Sequence, residues 1–441
     1  MWRNWTINTL RVLLGAVYVF SGFVKAIDPM GTAYKVSEYM QSLGLVDLSQ
    51  SVVPVWLGVA LIVVEFLLGV NLIIGIRRNW TTFWAMVMML FMALVSFYAY
   101  FFNPVSDCGC FGDAVKLTNA QTALKNIPLL LAQVWVWWER KRIVPFVVQR
   151  NMPIISLYNF LFIIGFVLIS LWHLPLIDFR PYKVGADITA GRKLPEDAKT
   201  PIYETTFIYS KGGRQQTFGI DNLPDSTWTF VDSKSTIIEE GDKPLMADFN
   251  VSRLTDEGTE DVTELLLSDT SYTFLLIAPY LEQADVASHD QINTIYDWAV
   301  DNKYKFVCLT ASSEPAMNVW RDHTGAAYDF YLADEKLLKT IVRSNPGLLL
   351  LKAGIIINKW STNSLPQGDD IGEVLQQQPE QMSNSAILLK ILFWYVLLLV
   401  VVIALDRTYM IAKLRKRFFP STRAKVTTTP SPLHSADTNV Q

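Results

Sequence analysis

The chain has 441 residues, of which 51% are hydrophobic and only 18% charged, with a formal net charge of −3. That balance excludes an ordinary soluble domain of this length, and it offers no basic surface of the kind nucleic acid requires. The apolar excess is local, gathered into runs near the ~20 residues that cross a bilayer.

Six membrane spans are predicted, at roughly 8–28, 53–76, 80–102, 123–138, 154–176 and 386–405. The fourth is the weakest, carrying Pro128 and Gln133 and ending in Trp135, Trp137 and Trp138. The first run has no small-residue cleavage site after a short apolar core, so it reads as a retained helix. If six helices alternate, Arg3, Arg11, Arg77, Arg78, Arg140, Lys141, Arg142, Arg150 and the basic residues from Lys413 to Lys425 fall on one side. The positive-inside rule makes that side the cytoplasm, with both termini there. Loops 27–52 and 103–122 and the long segment 177–385 then face outward. That segment carries 18 Lys+Arg against 32 Asp+Glu. The expected location is a bacterial inner membrane, multi-pass, with the large domain periplasmic and the lipid bilayer as a constant partner.

The domains follow from these runs. Residues 1–150 form a four-helix membrane unit, and a fifth helix at 151–176 leads into the soluble part. Segment 177–270 reads as β-rich: "YETTFIYSKGGRQQTFGI" alternates on either side of a Gly-Gly turn, which is a hairpin signal. From 271 to 380 strands and helices alternate, as in a layered α/β domain. There "SYTFLLIAPY" and "YKFVCLTA" read as buried strands. Ser288 and Gln291 read as a capping box, Gly325 as a helix stop, and Ala353-Gly354 as a turn between two strands. A Gln-rich linker leads to the sixth helix at 386–405. The polar, Pro-rich tail at 406–441 has the composition of disorder.

Two of the three cysteines, Cys108 and Cys110, stand one glycine apart in "NPVSDCGCFGDAVKL". Gly109 and Gly112 free the backbone for a turn that brings alternate cysteines into disulfide range. A bond spanning one residue would be strained and easily reduced, and an oxidising compartment would let it persist. Thr118 and Gln121, as a capping box, open the next helix, so the loop is expected to be short and held at the membrane surface. Asp107 and Asp113 flank the pair and would disfavour thiolate, so activation is sought elsewhere, with Lys116 a candidate. The alternatives are two inert residues in a turn, or a metal site, which would lack a nearby histidine.

Within the membrane, Glu65 stands mid-helix in "LIVVEFLLGVNLIIG". An acid there costs roughly 2.5–3.5 kcal/mol on insertion scales, so it is a functional candidate expected to face the bundle interior, protonated or paired. Lys25, near the outer end of the first helix, is its candidate partner; an interhelical packing hydrogen bond is the plainer reading. Gly15, Ser21, Gly22 and Gly69 read as positions of close helix packing. Cys308, alone in a strand, reads as buried and inert.

On "RVLLGAVYVFSGFVKAIDP", "VEFLLGV" and "DCGCFGD", the first 140 residues resemble the DoxX/MauE superfamily of four-helix membrane proteins. The whole chain is similar to DoxX-family proteins of Bacteroides-type bacteria that carry the same outward insert. MauE-type proteins are associated with disulfide formation and maturation of methylamine dehydrogenase, and DoxX-type proteins with a thiosulfate:quinone oxidoreductase. A second resemblance, carried by "RSNPGLLLLKAGIIINKW", is to the thioredoxin-like fold, which implies a cis-proline at Pro346 beside a peptide groove. The departure is that "LLIAPYLEQADVASHDQ" holds no C-x-x-C, so this domain lacks the usual exchange chemistry.

The expected fold is therefore a membrane α-helical bundle plus an outward α/β thioredoxin-like domain preceded by a β-rich segment. One functional reading makes Cys108 and Cys110 a pair that passes electrons from extracytoplasmic thiol proteins to a quinone, with Glu65 handling protons. The other makes the chain an anchored, non-catalytic scaffold whose degenerate thioredoxin-like domain recruits partners.

Overall fold

A bilayer leaves the backbone of an apolar run no hydrogen-bonding partner except its own turn, so the long apolar runs fold as helices. The computed structural model describes residues 2–105, 107–194, 197–199, 202–239, 241–367, 371–376 and 384–418. Calls on the linker at 377–383 and on the tail beyond 418, Arg423 and Lys425 included, lie outside the described residues.

The bundle consists of α1 (Trp2–Ile27), α2 (Pro29–Ser42), α3 (Val46–Ser49), α4 (Val53–Ile74), α5 (Arg78–Phe102), α6 (Asn119–Trp138) and α7 (Met152–Trp172). Among the described residues five helices are long and apolar enough to cross a membrane: α1, α4, α5, α7 and, from the far end of the chain, residues Leu389–Thr408. The fourth expected span falls short of that measure. It is a 20-residue helix, α6, but it carries Lys125 and four amide side chains, at Asn119, Gln121, Asn126 and Gln133. Three of these amides are buried, Asn119 bonding the Val105 carbonyl at 2.9 Å, Asn126 bonding Ser96 Oγ at 3.0 Å and Gln133 the Thr82 carbonyl at 3.4 Å.

Helices α1 and α4 run antiparallel at backbone contact. A Cβ on Gly69 would lie 2.6 Å from the Val19 nitrogen, and one on Gly22 would lie 2.8 Å from the Phe66 nitrogen. These glycines therefore do set the packing. Arg11 is fully buried at the other end of this pair, donating to the Leu72, Ile73 and Val144 carbonyls at 2.6, 2.7 and 2.8 Å. A cation satisfies the open carbonyls that end α4. Basic ends converge there: Arg78 reaches the Lys141 carbonyl, Arg3 pairs with Glu139, and Arg407 reaches the Phe146 carbonyl.

The separate domain begins after α7. A short helix α8 (Ile188–Gly191) precedes a three-stranded antiparallel sheet of order β2-β1-β3, from β1 (Ile202–Lys211), β2 (Arg214–Gly219) and β3 (Thr229–Glu239). The turn at Gly212-Gly213 has φ of 60° and 80°, which only glycine adopts cheaply.

The main sheet takes β4 (Val251–Thr255), β5 (Gly258–Asp261), α9 (Thr263–Leu267), β6 (Tyr272–Ala278), α10 (His289–Asp301), β7 (Lys305–Thr310), α11 (Glu314–Thr324), β8 (Asp329–Ala333), α12 (Glu335–Ile341), β9 (Gly347–Lys352), β10 (Ile355–Ser361) and α13 (Ile371–Gln376). A last helix, α14 (Asn384–Phe418), returns to the bundle. The strand order is β10-β9-β6-β7-β8-β4-β5, with β6, β7 and β8 parallel and the remaining pairs antiparallel. Strand side chains alternate between faces. Leu275, Ile277, Val307 and Leu309 therefore pack with α12, while Phe274, Leu276, Phe306 and Cys308 pack with α10 and α11. Both faces are covered, which accounts for the near-continuous apolar strands.

Gly325, at φ 69°, ends α11 as expected. Ser288 does not form the expected capping box: its hydroxyl makes no cap bond, and Gln291 instead donates to the Leu365 and Pro366 carbonyls. That amide fastens a loop rather than its own helix start.

Candidate functional site

The cysteine loop joins α5 to α6 and is clasped at its base. Asn119 donates to Asn103 Oδ1 and to the Val105 carbonyl, both at 2.9 Å, and the Thr118–Gln121 capping box starts α6. Gly109 and Gly112 hold φ of 67° and 54°, and a Gly112 N–H to Gly109 carbonyl bond closes the turn. The loop does not stay at the surface. Phe111 meets the Phe20 ring at 5.4 Å, and the Cys110 carbonyl accepts a 2.8 Å bond from Ser21 Oγ. Ser21 lies six residues before the end of α1, roughly 9 Å down the helix. An apolar loop tip with a carbonyl to satisfy finds both packing and a donor there.

The two thiols are free and buried, 8% and 7% exposed, with sulfurs 3.1 Å apart. Their environments differ. The hydrogen bond from Cys110 is the chief influence pulling the Cys108 thiol down to about 7, against burial, with help from Tyr39, Lys25 and Lys125. The same bond, and burial, push Cys110 well up. Cys108 is thus the thiol poised to ionise. The Tyr39 hydroxyl is buried beside Cys108 and meets no partner of full hydrogen-bond geometry among the described residues. The positive charge comes from Lys25 and Lys125, the latter held 4.1 Å over the Phe111 ring, while Lys116 is exposed.

Beneath the loop, Lys25 Nζ lies 2.7 Å from Glu65 Oε2, with both side chains 2% exposed. Lys25 also donates to Ser21 Oγ at 3.0 Å. Ser21 has one proton, and its shorter acceptor is the Cys110 carbonyl at 2.8 Å rather than Glu65 at 3.1 Å. The arrangement is a buried chain from ion pair to hydroxyl to loop backbone. Burying either charge alone would be costly, and pairing with added hydrogen bonds is what makes it tolerable.

The flanking aspartates are not left to oppose the thiols. Asp107 lies 3.5 Å from Lys35 on α2 and caps the Gly109 N–H. Asp113 lies 3.2 Å from Arg343 of the soluble domain, whose Nη2 is also 2.8 Å from Asp28. Pro346 follows a cis peptide bond just before β9; its ring is buried and its carbonyl accepts from Ser344 and Thr362. Cys308 is fully buried on β7, its thiol pushed up by burial, away from the loop pair.

Next to Cys110, Asp107, Gly109, Phe111, Val115, Leu117 and Thr122 line a cleft of about 10 Å³, room for roughly one water. Small-molecule pockets run ~300–1,000 Å³, so a cleft of this size does not enclose a quinone head group. Among the described residues no cluster of three or more His, Cys, Asp or Glu side chains could hold a metal ion.

Sequence reasoning named Cys108, Cys110, Lys25 and Glu65, and the structure brings all four together. It read Ser21 as a packing position, although Ser21 precedes Lys25 by one helical turn and so shares its face. It passed over Lys125, a lysine inside an apolar helix, which is itself a signal. Arg343 had no local signal at all.

A bundle of membrane-length helices with a buried ion pair under a dithiol loop, joined to a separate β-containing domain, defines a membrane protein. Residues 3–139 match the family described as methylamine utilisation protein MauE, a membrane-protein family related to DoxX-like proteins. Residues 203–240, the three-stranded sheet, match a domain of unknown function, DUF8463. No curated protein and no solved structure matches the chain.

Proposed function

We propose that this is an integral membrane thiol/disulfide redox protein of the MauE type, acting through Cys108 and Cys110 on the extracytoplasmic side. The observation that carries the reading is the 3.1 Å sulfur pair, one thiol shifted down and one up, seated on the Lys25–Glu65 ion pair. The match of residues 3–139 to a family named for methylamine utilisation supports a redox setting without supplying a substrate. Convergence of the basic helix ends opposite the loop supports its outward placement.

The chemistry follows from the asymmetry. Cys108, as thiolate, attacks the disulfide of an extracytoplasmic protein; a new S–S bond forms, the partner's bond breaks, and its leaving sulfur takes up a proton. Cys110 then gives up its proton and attacks Cys108 Sγ, closing the pair and releasing the partner as a dithiol. Two electrons and two protons have moved, and the reverse sequence oxidises a partner. Lys25 favours the thiolate by its charge, and Glu65 holds Lys25 in place. Ser21 meets the Cys110 carbonyl and not its sulfur, so proton handling by Glu65 would require the ion pair to open. Quinone is an attractive acceptor for a membrane dithiol, but the cleft beside Cys110 does not enclose one.

We read the soluble domain as a thioredoxin-like fold without its cysteines: strands β6 and β7 parallel, β9 and β10 antiparallel, and Pro346 ahead of β9. A recruiting scaffold would need the face around Pro346 open, yet Arg343 beside it is engaged with the bundle.

The test is maleimide trapping of the purified full chain in detergent. Oxidised glutathione should close the pair and mild dithiol should reopen it. Thiols that stay free in oxidant, or a pair that stays closed in dithiol, would overturn the redox reading.

A further inference from the structure

Both sulfurs are buried, yet exchange requires a partner disulfide to approach Cys108 in line. The cover over them is built from two pieces. Helix α2 lays Lys35 against Asp107 and Gly109 and brings Tyr39 beside Cys108. The other piece is the loop's anchorage to the soluble domain, where a single side chain, Arg343, meets both Asp28 ahead of α2 and Asp113 of the loop.

We propose that Arg343 is a positioning residue for the dithiol: one guanidinium, shared by Asp28 ahead of α2 and Asp113 three residues past Cys110, keeps the pair covered until the soluble domain lifts. Its purpose rests on the redox reading above; its test does not.

The contacts use the whole fork. Nε and Nη2 each lie 2.8 Å from Asp28 Oδ2, Nη2 reaches Asp113 Oδ2 at 3.2 Å, and Nη1 donates to the Lys339 carbonyl at 2.5 Å. The side chain is 8% exposed, and the two carboxylates hold its guanidinium in the charged form although burial opposes it. Asp28 is fixed in turn, since its other oxygen caps the Gly31 N–H at 2.9 Å. Gly31 permits the approach: a Cβ there would sit 3.0 Å from Arg343 Nη2. On the soluble side the arginine is carried by a rigid loop, with Asn345 donating to the Tyr280 carbonyl and accepting from the Asp285 N–H. Lys339 stands 4.9 Å over the Tyr34 ring of α2, so the contact has a second cation. A planar fork can bridge two carboxylates from two elements at once, whereas an ammonium meets them as a point charge.

Arg343, three residues before Pro346, is therefore already engaged by the chain's own Asp28 and Asp113. Losing the arginine would free both halves of the cover and leave two carboxylates without their cation.

The experiment measures the rate at which a maleimide labels the loop thiols of the full chain in lipid nanodiscs. It is run near pH 9, about two units above the Cys108 value, so that ionisation does not limit the rate. Arg343→Gln should label about tenfold faster, as local opening becomes cheaper by one decade. Asp113→Asn should also speed labelling, the double variant should be no faster than Arg343→Gln alone, and Arg343→Lys should fall between. Labelling within about twofold of the parent in Arg343→Gln, or additive effects of the two single changes, would overturn the proposal. If Arg343→Gln does not fold, Asp113→Asn decides by the same margin, because Arg343 keeps Asp28. Faster labelling together with a pair that glutathione cannot close would leave the clamp standing and remove the redox reading.

Discussion

Lys25 and Glu65 meet at 2.7 Å inside the bundle, on two helices whose backbones are brought into contact by glycine. A charge on either side chain has its partner within one hydrogen bond, so the two should be judged as a unit. Glu65→Gln leaves an ammonium buried without its counter-ion and should destabilise the bundle by about 3–5 kcal/mol, the usual cost of halving a buried pair. Lys25→Met with Glu65→Leu should cost clearly less than either single change. Unfolding in mixed detergent reads both. Equal losses from the single and double variants would show that the pair does not act as one.

Close approach of α1 and α4 makes a second expectation. Gly69→Ala places a methyl 2.6 Å from the Val19 nitrogen and 2.8 Å from the Gly15 carbonyl. Backbone cannot yield as a side-chain tip does, so the helices must separate and the Ser21–Cys110 bond should lengthen or break. Overpacking of this kind costs typically about 1–3 kcal/mol. A lower unfolding midpoint with faster thiol labelling is expected; Gly165→Ala, with open space around it, should change neither.

How much of this was legible beforehand depends on sequence range. The hairpin at Gly212-Gly213, the α6 capping box and the helix stop at Gly325 are settled within a few residues, and composition exposes them. Cys108 and Cys110 are neighbours in sequence, and Lys25 and Glu65 announce themselves as charges in apolar runs. What stayed hidden was depth and cover. That the loop sinks to Ser21 depends on a carbonyl needing a donor 89 positions away, and Arg343 lies 230 positions from Asp113. Asp107 and Asp113 read from sequence as charges opposing thiolate, whereas each has a cation waiting on another element.

The thiol asymmetry gives a pH expectation with a definite sign. Thiolate is the reactive form, so labelling of Cys108 should rise with pH through a midpoint near 7, where its pKa is about 7. A free cysteine would rise near ~8.5. The leading cause is the bond from Cys110, so Cys110→Ala should move the midpoint upward, and Tyr39→Phe should do so by less. The converse variant, Cys108→Ala, should leave Cys110 slow at neutral pH. A midpoint unmoved by Cys110→Ala would show that the hydrogen bond is not the source of the shift.

Cys308 offers a control. It is fully buried on β7 between Leu276 and Phe330, and burial pushes its thiol up. Cys308→Ala should cost about 1 kcal/mol, and Cys308→Ser somewhat more, because the hydroxyl would be buried among apolar neighbours. Neither should alter oxidation of the loop pair by glutathione. Rapid labelling of Cys308 in the folded chain would contradict its placement.

The compartment assignment is the expectation on which the outward chemistry depends. Arg3, Arg78 and Arg142 gather at one end of the bundle with Arg407, and the cysteine loop lies toward the other. By the positive-inside rule the basic end is expected on the cytoplasmic side. Residues 202–239 form the three-stranded sheet, and Asn222 is exposed in the segment joining β2 and β3. A protease supplied to the outer face of spheroplasts should therefore cut near Asn222, and a tag inserted there should be reached by antibody without permeabilising the membrane. Tags at either terminus should need permeabilisation. Among the described residues five helices satisfy the length and apolarity of a span, so α6 decides the parity: if it does not cross, the cysteine loop and the two termini cannot keep these assignments together. Labelling of an introduced cysteine at Glu139, beside Arg3 at the end of α6, settles which side that end occupies. Protection of Glu139→Cys from an impermeant maleimide, with Asn222→Cys labelled in the same cells, is the expected pattern. Labelling of both from outside would place the end of α6 on the outer face and undo the cytoplasmic assignment of the basic cluster.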